Sequence, residues 1–77
     1  MNVKIIKPDS TVFEGQASLL QLPGTNGLFE ILENHAPIIS SLASGKIRIQ
    51  TDDGEKTFDI KAGVVKGQKN DILVLVQ

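Results

Sequence analysis

The chain has 77 residues, no cysteine, and eight basic against nine acidic residues, for a net charge of −1. That size suits one small domain spanning residues 1–77, and the missing cysteine excludes a disulfide framework, thiolate catalysis and a thiolate metal site. Charges are dispersed without a basic block and the only aromatics are Phe13, Phe29 and Phe58, so a nucleic-acid surface built on phosphate contacts or base stacking is not expected.

The opening, Met1 to Pro8, lacks the apolar core of a signal peptide. No apolar run approaches the ~20 residues of a membrane-spanning helix. The chain is therefore expected to be soluble and, in a bacterium, cytoplasmic, without inserting directly in a membrane. It would touch a membrane system only through a partner.

Taken in order, Val3 to Lys7 reads as a strand ended by the turn Pro8-Asp9-Ser10. Thr11 to Glu14 is a short strand stopped by Gly15. Ala17 to Leu22 is longer, with Leu20 and Leu22 on one face and Leu19 on the other. Leu28 to Ile31 alternates briefly, and Pro37 to Ala43 is extended and closed by Gly45.

The clearest local signal is Lys46 to Thr51, where Ile47 and Ile49 alternate with Lys46, Arg48 and Gln50. Asp53-Gly54 follows, the dipeptide favoured in a type I′ hairpin turn. Lys56 to Ile60 answers with Phe58 and Ile60 inward. Because side chains alternate with period two, a one-residue slip would expose all four apolar residues, so the register is well specified. Ala62 to Lys66 is a further strand, turned by Gly67 to Asn70 into Asp71 to Val76, which is apolar on both faces. Two readings of that last run stay open: a strand covered on both sides, or a partner-binding face. No segment keeps a 3.6-residue apolar period, and eight or nine short strands point to a two-sheet β-sandwich.

The stretch from Gly24 to Pro37 is the only long one that breaks this rhythm. Gly24 and Gly27 supply freedom for a tight turn, while Pro23 and Pro37 push their preceding residues toward extended geometry. His35, the only histidine, lies beside Ala36 and Pro37. Such a segment on a rigid scaffold is the best place for a functional surface.

Its chemistry does not resemble catalysis. Glu30 and Glu33 near His35 are read as solvated loop charges, since acid–base work needs such groups held in a cleft. One histidine and two badly spaced carboxylates do not make a metal site. Gly24-Thr25-Asn26-Gly27 lacks the Gly-Lys-Ser/Thr that reaches phosphates, and no helix follows it. One histidine and scattered serines support no nucleophilic triad. Residue chemistry gives a binding module with no catalytic residues, cofactor or metal. A free-standing β-sandwich that binds a ligand or a protein is the alternative function, with the missing Trp and Tyr against a small-ligand or carbohydrate site. A small hydrolase using Glu30 and Glu33 lacks a second catalytic cluster.

In order along the chain come Ile5 to Pro8, then Val12-Phe13-Glu14-Gly15, then Gly24-Thr25-Asn26-Gly27 and a short strand ending in Ile31. Asn34-His35-Ala36-Pro37 follows, then Leu42 with Gly45, Ile47 and Ile49, the hairpin, Ala62-Gly63-Val64 and a terminal apolar strand. This succession resembles the N-terminal β-sandwich domain of the epsilon subunit of rotary F-type ATP synthases, over essentially the whole chain. Glu30, Glu33 and Asn34 depart from the family, which often has glycine before the isoleucine and Pro-Gly before His-Ala-Pro. Asn34 can keep the turn, since asparagine tolerates left-handed backbone geometry. The two glutamates change the loop's charge.

The resemblance implies a ten-stranded sandwich at the foot of the central stalk, a non-catalytic part of the machine. It would bind the gamma subunit on one side and the polar loops of the c-ring on another, helping rotation driven by proton or sodium transport reach ATP synthesis. Its place would be peripheral, on the cytoplasmic face of the bacterial inner membrane. By motif, Gly24, Thr25, Asn26, Gly27 and Leu28 would face the ring. Asn34, His35, Ala36, Pro37 and Ile38 would lie at the ring/gamma junction. Many members continue into a C-terminal helical hairpin that can inhibit ATP hydrolysis. This chain, a short form or a truncated one, stops at Gln77 without those residues.

Overall fold

The computed structural model describes residues Met1 to Gln77. Nine strands follow one another: β1 (Asn2–Lys7), β2 (Ser10–Gln16), β3 (Leu19–Gly24), β4 (Gly27–Leu32), β5 (Ile38–Leu42), β6 (Gly45–Thr51), β7 (Gly54–Ile60), β8 (Gly63–Gln68) and β9 (Asp71–Val76). They hydrogen-bond in the order β2-β1-β9-β8-β5-β3-β6-β7, with β4 on β3. The sheet curls over so that its two halves face each other. No helix is long and apolar enough to cross a membrane.

The halves are β2-β1-β9-β8-β5 and β4-β3-β6-β7, and one register pair, Gly24 opposite Leu42, links their ladders. Two hydrogen bonds flank that corner, Thr25 N–H to the Ser41 carbonyl at 3.2 Å and Ala43 N–H to the Pro23 carbonyl at 2.7 Å. At the opposite side the outermost strands β2 and β7 meet through Phe13 and Phe58, whose rings lie 6.2 Å apart and tilted by 53°. That spacing is in the favourable range for an aromatic pair. β1 and β9 run parallel, from Asn2 opposite Asp71 to Ile6 opposite Leu75.

Alternation along each strand aims one set of side chains into the space between the halves. Val3, Ile5, Val65, Ile72, Val74 and Val76 come from one side, and Leu20, Leu22, Ile31, Ile47, Ile49 and Ile60 from the other. No polar or charged side chain is buried among them. Each fully buried aliphatic residue contributes roughly 1.5–3 kcal/mol. The partly buried Phe13, Phe29 and Phe58 pack around this cluster.

The sandwich expectation holds, with nine strands where the resemblance implied ten. Residues 33–37 join no ladder, because Pro37 has no N–H to donate and Asn34 takes a φ of 63°. Glycine also ends fewer strands than expected. Gly15 lies inside β2 opposite Val3, and Gly67 lies inside β8 between Ile38 and Ile72. The β6–β7 register is the expected one, Ile47 opposite Phe58 and Gly45 opposite Ile60. Its turn differs. Asp52 and Asp53 form the loop, and Gly54, with a φ of 107°, is the first residue of β7. A type I′ turn needs positive φ at both central residues, and neither Asp52 nor Asp53 has it; the positive φ falls on Gly54, which pairs with Thr51. Thr51 braces it, its Oγ1 accepting from Asp53 N–H at 3.1 Å and donating to the Gly54 carbonyl at 2.9 Å.

Candidate functional site

The long irregular stretch resolves into a hairpin and a short connection. Gly24 and Gly27 pair at the end of β3 and β4, with Thr25 and Asn26 as the loop and a φ of 123° at Gly27. A side chain on Gly24 would lie 2.8 Å from both the Gly27 carbonyl and the Phe29 ring, so the tight closure needs glycine there. Leu28 follows, 68% exposed beside this tip.

Asn34 to Pro37 connect β4 to β5, and Ile38 begins β5. The two groups of expected interface residues therefore sit at opposite ends of β4 and of β5. Over the five residues of β5 that is on the order of 15 Å, at about 3.3 Å per residue. They are two separate surface positions and not one loop.

The second group is held from below. Asn34 N–H donates to Asn70 Oδ1 at 2.9 Å, and Asn70 Nδ2 donates back to Asn34 Oδ1 at 3.3 Å. The half-buried His35 ring lies over Gly67 of β8; a Cβ there would sit 2.8 Å from His35 Cε1 and from Ile72 Cδ1. His35 Nδ1 lies 2.5 Å from the Ala36 carbonyl oxygen. A carbonyl only accepts, so in the neutral ring the proton is on Nδ1 and Nε2 is the acceptor. That Nε2 is buried without a partner.

Glu30 and Glu33 do not form a pair. Glu30 lies on β4, not in a loop, and accepts from Gln21 Nε2 at 3.2 Å. Glu33 receives the Met1 ammonium at 3.0 Å, and that ammonium also donates to the Ala17 carbonyl at 3.0 Å.

The outward faces of the two halves differ. On the first, Ile39 is 75%, Leu75 49%, Val64 43% and Leu73 37% exposed. Register places them side by side: Leu73 opposite both Lys4 and Lys66, Leu75 opposite both Ile6 and Val64, and Ile39 opposite Lys66. An open groove at one end of this strip is lined by Ile6, Pro8, Ala62, Val64 and Leu75. On the second, Arg48 pairs with Glu55 at 2.7 Å and reaches Gln21 at 3.3 Å, Gln50 donates to Glu55 at 3.1 Å, and Lys46 lies 3.6 Å from Asp59. The Glu55 carboxylate raises the Arg48 pKa above its ordinary value, first through the side-chain hydrogen bond and then through charge.

Sequence reasoning missed Asn70, Gly67 and the extent of the apolar strip. Leu73 and Leu75 were visible in the doubly apolar run of β9. Val64 and Ile39 carry no such signal, because only the β5-β8-β9 register brings them alongside.

The whole chain, residues 1–77, matches the family described as ATP synthase, Delta/Epsilon chain, beta-sandwich domain. It is 36% identical over 74 residues to the ATP synthase epsilon chain of Chlorobaculum tepidum, covering 95% of this chain and 84% of that one. It spans 59% and 64% of the epsilon chains of Leptospira borgpetersenii and Rickettsia bellii, less than two thirds of their length. Its fold matches a chain of the Euglena gracilis mitochondrial ATP synthase OSCP/F1/c-ring structure, with a TM-score of 0.88 at 13% identity over 96% of this chain and 48% of that one. It also matches a chain of the Tetrahymena thermophila mitochondrial ATP synthase central stalk and c-ring, with a TM-score of 0.82 at 14% identity over 99% and 62%. A nine-stranded curled sheet with the His35-Ala36-Pro37 connection, matched over its full length, makes the chain a member of the ATP synthase delta/epsilon β-sandwich family.

Proposed function

We propose that this chain acts as a non-catalytic central-stalk component of a rotary F-type ATP synthase, linking the gamma subunit to the polar loops of the c-ring. It would help transmit the rotation that couples ion transport to ATP synthesis, from a peripheral position on the cytoplasmic face of a bacterial inner membrane. The observation that carries this reading is the exposed strip of Ile39, Val64, Leu73 and Leu75 in a chain of this family. A contiguous apolar patch on a sheet face suits a protein partner. We assign gamma to this strip. The Gly24, Thr25, Asn26, Gly27 and Leu28 tip is assigned to the ring, and Asn34, His35, Ala36, Pro37 and Ile38 to the ring/gamma junction.

The scaffold suits the task mechanically. Of 48 backbone hydrogen bonds, 41 lie within strands, and the ladders of the two halves are joined at the Gly24–Leu42 corner. Twisting one contact point against the other therefore strains hydrogen bonds and a packed core rather than a loose linker.

Size-exclusion chromatography of this chain with the gamma subunit from the same organism tests the proposal. Co-elution at equal stoichiometry is the expected result. Separate elution both alone and with the c-ring added would overturn it.

A further inference from the structure

The Asn34–Pro37 connection has few bonds of its own. Its only expected anchor was the tolerance of Asn34 for left-handed geometry, and Asn34 does take a φ of 63°. That conformation costs a non-glycine residue free energy and persists where surroundings hold it. Here the holding group comes from far along the chain. Asn70, in the β8–β9 turn, accepts the Asn34 N–H at 2.9 Å and returns an Nδ2–H to Asn34 Oδ1 at 3.3 Å. Its own carbonyl accepts Asn2 N–H from β1 at 2.6 Å. The backbone of Asn70 is thus pinned independently of its side chain, and the side chain is free to act as a clasp.

We propose that Asn70 is a positioning residue: its side chain holds the Asn34–Pro37 connection in the conformation that docks against the partner. This rests on the reading that the chain binds gamma and the ring. Gly67 completes the device, giving the His35 ring a floor where any Cβ would collide at 2.8 Å. Asn34 and Asn70 are both exposed, so water competes for their hydrogen bonds and the closed connection is only marginally favoured. A marginally populated competent state lowers apparent affinity in proportion to its fraction, so removing the clasp is felt at the partner.

The test compares the unaltered chain with Asn70→Ala and Asn70→Asp. Asp keeps an oxygen that accepts the Asn34 N–H and loses the Nδ2–H that Asn70 returns, so the Asn34 amide turns to present its own Nδ2 to the carboxylate. Hydrogen exchange of the Asn34 amide, the one in this connection that the clasp holds, should quicken about tenfold in Asn70→Ala, while β6 and β7 amides and the melting temperature stay put. Affinity for gamma, with the c-ring present, should fall about threefold to fivefold in Asn70→Ala and recover in Asn70→Asp. A purely structural role would lower the melting temperature and quicken exchange throughout, and so overturns the proposal. Unchanged exchange at the Asn34 amide, or faster exchange with unchanged affinity, also overturns it. Failure of the unaltered chain to bind gamma and ring would instead defeat the stalk assignment, and with it the docking role.

Discussion

The two outward faces are built from the same kind of strand and handle solvent differently. On the β4-β3-β6-β7 side, cross-strand neighbours satisfy one another: Arg48 with Glu55, Gln21 with Glu30, Lys46 with Asp59. Such pairs keep the β3-β6-β7 part of that face wetted, and its exposed apolar residues, Leu28 and Leu32, lie out on β4. On the β1-β9-β8-β5 side, Leu73, Leu75, Val64 and Ile39 stand in water with only Lys4 and Lys66 between them. Inward residues are equally apolar on both sides, so this difference is unconnected to the core. It marks the face whose centre is apolar and the face whose centre is paired and polar.

The largest effect should come from breaking the apolar face. Leu73→Asp with Leu75→Asp places two charges in the middle of the strip, and gamma affinity should fall about a hundredfold or more. Neither side chain belongs to the buried cluster, so circular dichroism should show the fold intact. Binding within about threefold of the unaltered chain would show that gamma docks elsewhere.

Gly67→Ala sharpens the comparison by disturbing the support beneath the junction while sparing both faces. The added Cβ meets His35 Cε1 and Ile72 Cδ1 at 2.8 Å and Ile38 Cγ2 at 3.0 Å. Overpacking of this kind costs about 1–3 kcal/mol, readable from urea unfolding. A change near zero would mean the His35 ring moves aside freely.

Arg48→Gln on the polar face should do least. The melting temperature should move by no more than about 2 °C, with gamma affinity unchanged. The sign of the Arg48 pKa shift also matters. A base whose pKa is raised by folding stabilises at every pH below its unfolded value and loses that contribution only as pH rises through the folded one. An arginine is charged well beyond the mildly alkaline range and this one is raised further, so the small effect should stay constant from neutral to mildly alkaline pH. A large loss of binding in this variant would erase the distinction between the two faces.

Much of the strand pattern was legible because it rests on neighbours in sequence. The alternation of Ile47, Ile49, Phe58 and Ile60 announced the hairpin and its register, and the structure keeps both. The turn type departs from the expected one because Asp53-Gly54 suits two arrangements. Which one forms depends on whether Gly54 is counted in the loop or in the strand, and here it pairs with Thr51. Glu30 was placed in a loop because the glycines and prolines around it outweighed a four-residue alternation. Pairing of β4 with β3 decided otherwise.

The sequence by itself determined the all-β class, the inward residues and the order of motifs that marks the family, since these depend on side-chain period and on spacing along the chain. Tertiary structure alone decided the rest. It set Asn70 under Asn34 across 36 positions and Gly67 under His35, and it gathered Ile39, Val64, Leu73 and Leu75 from three strands into one strip. The physical reason is that strand pairing joins residues by ladder register, which alternation constrains only to which face a residue occupies, never to which neighbour it meets.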